Sequence, residues 1–168
     1  YTDEKTIEVV RDVLRNQIGA KLAALISDSG AGAKVLSGED DDLFRAVKVK
    51  GKTADGEVDL GLVGEVRSVN PRSVIQAIER GDVPVISTVA PTTQGELLNV
   101  NADLAAASLA VALGAEKLMV LTDVAGLYAD WPNRDSLVSE IAANELRELM
   151  PSLESGMIPK MQACLDAV

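Results

Sequence analysis

The sequence predicts an α/β fold: a three-layer sandwich with a mainly parallel central sheet and an attached antiparallel hairpin. Helical patterns alternate with short apolar runs along the 168 residues, and uninterrupted apolar strands are typical of parallel sheets covered on both faces. One segment instead alternates apolar and polar residues on both sides of an Asp-Gly pair, which is typical of a hairpin. Because the length suits one core, we expect a single domain over residues 1–168.

The first predicted element is a long helix that follows the polar residues 2–4 and ends at the stretch SDSGAG. We expect it to bend near Gly19. Its apolar residues recur every three or four positions: Ile7, Val10, Leu14, Ile18, Leu22 and Leu25. The stretch AKVLSG then predicts a short buried strand that ends at Gly38, and the simplest interpretation of the acidic GEDDD after it is a solvated loop.

A hairpin, a helix and a strand come next. Residues 43–66 predict two antiparallel strands joined at Asp55-Gly56. The stretch PRSVIQAIERGD opens with proline and closes at Gly81, which is typical of a short helix, and VPVIST follows it as an apolar strand.

A second helix and strand repeat this order. The stretch NADLAAASLAVAL predicts a helix of small residues that is closed by Gly114. Residues 118–121 are continuously apolar and predict a strand inside the parallel sheet. The last stretch, SGMIPKMQACLDAV, predicts a helix with Pro159 and Lys160 in its first turn.

Composition and charge exclude several classes of partner. The chain carries 16 basic and 26 acidic residues, a formal net charge of -10, so we expect no binding to nucleic acid or to an anionic membrane. No run approaches the roughly 18 apolar residues that a membrane span needs. The single cysteine, Cys164, cannot form an internal disulfide. We therefore expect a cytoplasmic protein that acts on a small molecule.

Three polar side chains in the stretch NVNAD, Asn99, Asn101 and Asp103, stand directly before an apolar helix. Asp103 as the N-cap of this helix, accepting hydrogen bonds from backbone N–H groups, needs no ligand. The two asparagines stay unexplained, because a buried amide needs several polar partners and the neighbouring leucines and valine offer none. Ligands of open α/β sheets bind where a strand ends and a helix begins, so we expect one here.

Two further stretches are candidates for a site. In VLTDVAGLYADW an apolar strand delivers Thr122 and Asp123 to a turn at Gly126, and an ordinary turn explains these residues as well as a ligand loop does. Lys160 falls in the first turn of the last helix, where the helix dipole disfavours a cation by about 0.3 to 1 kcal/mol. A phosphoryl group would neutralise both charges, whereas a lysine pointing into solvent would need no ligand.

These stretches, in this order and spacing, resemble the acetylglutamate kinases of the amino acid kinase superfamily over residues 2–168. The resemblance rests on VDLGLVGEV, VPVIST, NVNADLAAA, LMVLTDVAGLY and SGMIPKMQACLDAV. The stretches GLYADWPN and MPSLESGMIPK are most similar to the actinobacterial members. The resemblance implies the amino acid kinase fold and phosphorylation of the γ-carboxylate of N-acetyl-L-glutamate by ATP, a step of arginine biosynthesis.

The resemblance also implies roles for individual residues. Lys160 matches the lysine that stabilises the transferred phosphoryl group, Asp103 the carboxylate that orients the catalytic lysines, and Asn99 the asparagine that holds acetylglutamate. The implied nucleotide site consists of Asp123, Val124, Ala125, Gly126, Leu127, Tyr128, Ser152, Leu153 and Glu154. Mg²⁺ is expected to arrive on the phosphates of ATP, without a cage of protein ligands. We also expect a homo-oligomer.

The sequence departs from the family pattern at both ends. Family members begin with a strand that ends in a lysine and a Gly-rich loop, followed by a second glycine cluster and a substrate arginine, and they end with further strands. None of these is found here, so we expect an incomplete version of the fold that is inactive by itself. Two alternatives stay open: another amino acid kinase, of the glutamate 5-kinase or aspartokinase type, and a non-catalytic nucleotide-binding module.

Overall fold

The computed structural model describes residues 1–53 and 56–168. Its helices are α1 (Glu4–Asp12), α2 (Ala20–Asp28), α3 (Arg72–Glu79), α4 (Ala102–Leu113), α5 (Ala143–Leu149) and α6 (Ile158–Asp166). Its strands are β1 (Gly32–Ser37), β2 (Phe44–Thr53), β3 (Gly56–Val69), β4 (Asp82–Ser87), β5 (Val89–Pro91), β6 (Leu97–Val100), β7 (Leu127–Tyr128) and β8 (Leu137–Val138). Short 3₁₀ turns are formed by Asp40–Asp42, Arg134–Ser136 and Met150–Ser152. Within these described ranges, no helix is long and apolar enough to span a membrane.

The first helix is continuous through α1 and α2, as the sequence predicts. The residues between them, Val13–Gly19, form a π-helical segment, a wider helical winding that ends at Gly19, where the sequence predicts a bend. At the start of α1, the carboxylate of Asp3 accepts a hydrogen bond from the backbone N–H of Thr6 at 2.7 Å, which lowers the pKa of Asp3. This cap fixes where the helix begins.

The apolar stripe of the first helix is covered at one end and open at the other. Ile7 is 3% exposed, whereas Ile18, Leu22 and Leu25 are 54%, 46% and 57% exposed. These three side chains follow one another at intervals of four and three residues, so they share one face of the helix. We call Ile18, Leu22 and Leu25 the open stripe.

The described strands form three sheets. β1 and β4 are parallel, and a four-stranded sheet has the order β2-β3-β6-β5, in which β3 and β6 are parallel and the other pairs antiparallel. β7 and β8 form an antiparallel pair. The predicted α/β class, with parallel strands and an attached hairpin, is confirmed, and the parallel pairs are divided between two sheets.

The predicted hairpin is the pair β2-β3. Thr53 pairs with Gly56 in its register, and the predicted turn residue Asp55 lies outside the described residues. The hairpin contributes to the hydrophobic core, in which Phe44 is 1% and Leu98 0% exposed. The buried core residues are Leu36, Leu43, Phe44, Ala46, Val74, Ala90, Leu98, Val100 and Ala105.

The strand predicted for residues 118–121 is not present, so this prediction is wrong. Met119 and Leu121 are 78% and 87% exposed, and none of the described strands pairs with the segment. A strand needs a neighbour that pairs its backbone N–H and C=O groups. Apolar composition alone therefore does not make these residues a strand.

The acidic loop after β1 is fixed by ion pairs. The sequence predicted only a loop in contact with solvent. Glu39 pairs with Arg11 at 2.9 Å, and Asp40 pairs with Arg15 at 2.9 Å. Asp40 also accepts a hydrogen bond from the backbone N–H of Ser37 at 2.9 Å. The basic side chains of the first helix thus hold the loop against the end of β1.

Candidate active site

An ion pair joins the first turns of α4 and α6, two helices that pack against each other. Nζ of Lys160 lies 3.1 Å from Oδ2 and 3.4 Å from Oδ1 of Asp103, although 57 residues separate them. The two side chains are 25% and 23% exposed. The pair is therefore sheltered from bulk solvent but still accessible to a ligand.

The electrostatics of the two helix ends explain why this pair forms. The N-terminus of a helix favours an anion, so Asp103 is well placed in the first turn of α4. Lys160 in the first turn of α6 meets the positive end of its own helix dipole, and Asp103 offsets that cost. An ammonium group has three N–H donors, which leaves Lys160 able to donate to a second anion.

The structure corrects the predicted N-cap of α4. The cap residue is Asn101, whose Oδ1 accepts a hydrogen bond from the backbone N–H of Leu104 at 3.1 Å, and Asp103 lies two residues inside the helix. Asn101 is exposed, so its amide needs no further protein partner. Asn101 thus caps the helix, and the carboxylate of Asp103 is free to pair with Lys160.

Cys164 lies one helical turn beyond Lys160 in α6. Burial raises the pKa of the Cys164 thiol, and the negative charge of Asp103 raises that pKa further. The thiol is therefore a neutral neighbour of the ion pair at pH 7.

A cavity of about 220 Å³ lies beside the ion pair. It is lined by Thr122, Asp123, Val124, Tyr128, Ala129, Trp131, Ser152, Leu153, Glu154, Gly156, Met157 and Lys160. Six residues of the predicted nucleotide site are among them, contributed by two segments: Asp123, Val124, Tyr128, Ser152, Leu153 and Glu154. The structure thus brings Asp123 and Lys160 to one cavity and Asp103 to Lys160.

Three other residues of the predicted nucleotide site, Ala125, Gly126 and Leu127, are not part of this lining. Leu127 is 8% exposed and pairs with Val138 across the β7-β8 ladder. The side chain of Leu127 packs in the interior. Ala125, Gly126 and Leu127 connect the cavity residues Val124 and Tyr128. These residues shape the loop rather than line the cavity.

Asn99 lies apart from this cavity. It occupies β6 between Val63 of β3 and Val89 of β5, and it is half-buried. Since side chains alternate along a strand and Leu98 is buried in the core, Asn99 faces the other side of the sheet. Among residues 1–53 and 56–168, no hydrogen-bond partner of its side-chain amide is found.

Several lining residues were not predicted from the sequence, most notably Trp131. This side chain is 40% exposed, and its ring centroid lies 5.2 Å from that of Tyr128 with the rings inclined at 60°. Ala129, Gly156 and Met157 also line the cavity, as does Thr122 from the candidate stretch VLTDVAGLYADW. The signal for Trp131 was its position at the end of VLTDVAGLYADW, in a chain with a single tryptophan.

The donor set suits a metal ion that arrives with a ligand. Within the described part of the chain, no cluster of three or more His, Cys, Asp or Glu side chains could hold a metal. Asp123 and Glu154 nevertheless present carboxylates to the cavity. Carboxylates and water are ligands of Mg²⁺, which commonly binds one or two carboxylates together with substrate phosphates.

A sequence model of the family described as "Amino acid kinase family" matches residues 1–168. This chain belongs to the amino acid kinase family. Curated relatives of this amino acid kinase chain include the acetylglutamate kinases of Leifsonia xyli subsp. xyli and Arthrobacter sp., 59% and 56% identical. Each alignment covers 99% of this chain and 56% of the relative. The chain thus spans about half the length of the curated relatives it matches.

Solved structures also resemble this amino acid kinase chain. The crystal structure of smu.665 from Streptococcus mutans UA159 superposes with a TM-score of 0.82 at 27% identity, covering 99% of this chain and 65% of that one. An N-acetylglutamate synthase from Neisseria gonorrhoeae, complexed with coenzyme A and N-acetyl-glutamate, gives a TM-score of 0.79 at 21% identity. This match covers 99% of the chain and 36% of the synthase, and it supports the fold.

Proposed function

We propose that the intact protein phosphorylates the γ-carboxylate of N-acetyl-L-glutamate with ATP, in the biosynthesis of arginine. The observation that carries the proposal is the Asp103–Lys160 pair at 3.1 Å beside a cavity lined by the predicted nucleotide residues. Relatives named acetylglutamate kinase, 59% and 56% identical over 99% of the chain, support the choice of substrate.

The reaction needs placed charge more than a nucleophilic side chain. An oxygen of the γ-carboxylate attacks the terminal phosphorus of ATP, the bond from that phosphorus to ADP breaks, and an acyl phosphate and ADP result. Negative charge spreads over the phosphoryl oxygens during transfer. The ammonium group of Lys160 would offset it, and this role needs no histidine.

Asp103 acts through Lys160 in this proposal. Its carboxylate accepts hydrogen bonds from Nζ at 3.1 and 3.4 Å and holds the ammonium at a fixed place. A held charge needs no reorganisation when the phosphoryl group moves. Asn99, with an amide that finds no partner in the described residues, would bind acetylglutamate by hydrogen bonds.

ATP would be surrounded by the six predicted residues that line the cavity: Asp123, Val124, Tyr128, Ser152, Leu153 and Glu154. The turn through Ala125, Gly126 and Leu127 would position Asp123, Val124 and Tyr128 around it. Mg²⁺ supplies charge neutralisation on the phosphates when ATP is bound. Asp123 and Glu154 are the lining carboxylates that could approach the water ligands of this Mg²⁺.

We also propose a cytoplasmic location, where ATP is made and the free thiol of Cys164 stays reduced.

The substrate is tested with a coupled assay of ADP release by the intact protein. We expect kcat/KM for acetylglutamate to exceed that for glutamate, aspartate or UMP by about 100-fold or more, because a site that binds the acetyl amide loses those contacts with the others. A preference for glutamate or aspartate would instead support the glutamate 5-kinase or aspartokinase type. Nucleotide binding without turnover of any acceptor would support a non-catalytic module.

The open stripe supports the proposal of a homo-oligomer. Ile18, Leu22 and Leu25 are 46–57% exposed on one helix face, and a second copy of the same face would cover them symmetrically. We expect Leu22→Glu to lower the molecular mass of the intact protein in sedimentation from that of an oligomer to that of a monomer. Glu8→Gln, on an exposed side of α1, serves as the control. An unchanged mass for Leu22→Glu would show that the open stripe is not the contact that holds an oligomer together.

A further inference from the structure

Trp131 is an exposed aromatic side chain that the core does not require. It lines the same cavity as Lys160, yet 40% of the residue stays accessible to solvent. A large apolar surface left open beside a charged group is typical of a ligand site, in which the apolar and charged parts of one molecule are bound together.

The hairpin that carries Trp131 is fixed by its own hydrogen bonds. The hydroxyl of Ser136 donates to the carbonyl oxygen of Asn133 at 2.6 Å and accepts from the backbone N–H of Asp130 at 3.1 Å. The backbone N–H of Asn133 donates to the carbonyl oxygen of Asp130 at 2.8 Å. The indole therefore sits in a closed loop, and little ordering is needed when a ligand arrives.

Tyr128 and Trp131 form one aromatic wall. Their centroids lie 5.2 Å apart and their planes are inclined at 60°, an edge-to-face arrangement in which the two rings do not stack on one another. Ring faces are thus left for a third planar group. Around them the cavity offers the apolar side chains of Val124, Leu153 and Met157.

We propose that the base of the bound nucleotide stacks on Trp131, with Tyr128 supporting the indole, while the phosphates reach Lys160. This inference rests on the proposed function, because it takes the cavity as the nucleotide site. It adds a binding residue outside the matched nucleotide residues. Stacking on an aromatic side chain is available to every base, so the contact contributes affinity for the base as such.

The experiment uses the intact protein and two probes, ADP and inorganic tripolyphosphate, which has phosphates but no base. We expect Trp131→Leu to raise Kd for ADP and KM for ATP by about 10-fold or more, with kcat and the tripolyphosphate affinity changed by less than about twofold. Trp131→Phe keeps a stacking face and should restore most of the ADP affinity. The part of the tryptophan fluorescence that the intact protein loses in Trp131→Phe should change on binding ADP and stay constant with tripolyphosphate.

The outcomes separate this inference from the proposed function. Wild-type ADP affinity in Trp131→Leu, or equal weakening of ADP and tripolyphosphate, would overturn the stacking contact and leave the kinase reaction standing. The expected ADP results together with no turnover of acetylglutamate would support the contact and refute the proposed substrate. No ADP binding by the wild-type intact protein would overturn both.

Discussion

Replacing Lys160 with methionine in the intact protein is expected to lower kcat by about 100-fold or more, while KM for acetylglutamate stays within about threefold. The ammonium group contributes most when charge spreads over the phosphoryl oxygens in the transition state. Methionine keeps a long, unbranched side chain at the start of α6 and removes the charge together with the hydrogen bonds to Asp103. Steady-state kinetics with the coupled assay measure both constants.

Lys34→Met is the matched control, since Lys34 is an exposed lysine of β1 that is not part of the cavity lining. Its kcat should equal that of the wild type. Lys160→Met with wild-type kcat would contradict a catalytic role and leave Lys160 as a structural partner of Asp103. Thermal unfolding of both variants shows whether a loss of activity reflects unfolded protein.

Asp103→Asn is expected to abolish most activity with little loss of stability. An amide cannot hold the ammonium of Lys160 as a carboxylate does, so kcat should fall by about 100-fold or more. The free energy of unfolding should drop by only about 1 kcal/mol or less, because both side chains of the ion pair are about a quarter exposed. Chemical denaturation and the coupled assay measure the two effects separately.

Asn101→Ala is the control that separates catalysis from helix capping. It removes the observed cap of α4 and should cost about 1 kcal/mol of stability, with kcat of the folded enzyme unchanged. If Asp103→Asn stayed active, Asp103 would be a structural residue of α4. If Lys160→Met and Asp103→Asn act through one unit, the double variant should lose little more activity than either single variant.

Cys164 reports independently on the charge of Asp103. In the wild type, burial raises the pKa of this thiol and Asp103 raises it further. Removing the carboxylate charge in Asp103→Asn should therefore move the pH profile of Cys164 alkylation to lower pH, without reaching that of a free thiol. A fully unchanged profile would show that Asp103 does not act on this side of α6.

Local sequence patterns predicted the elements whose residues carry their own signals. Gly114 closes α4 in a left-handed conformation with φ 61°, as expected for a glycine at a helix end. Pro159 opens α6 and places Lys160 in its first turn. Alternating residues around Gly56 predicted the β2-β3 pair. Each of these features depends on neighbours within a few residues, so the chain alone specifies them.

The sequence failed where a residue's state depends on distant partners. Asn101 and Asp103 are both good caps. The structure places Asn101 at the cap and pairs Asp103 with Lys160, 57 residues further along. Residues 118–121 have the composition of a buried strand, yet Leu121 is 87% exposed and no described strand pairs with them. A strand needs a second strand that pairs with its backbone, and local strand propensity does not supply one.

By itself the sequence determined the α/β class, the helix ends that carry Asp103 and Lys160, and the resemblance that pointed to a kinase. The resemblance also implied that Asp123, Glu154 and Lys160 serve one nucleotide. Only the tertiary structure decided that Lys160 and Asp103 meet at 3.1 Å and that Trp131 lines the same cavity as Asp123, Glu154 and Lys160. The physical reason is distance along the chain: the hydrogen bonds and caps of a helix act within one or two turns, whereas a site assembles from segments that only packing brings together.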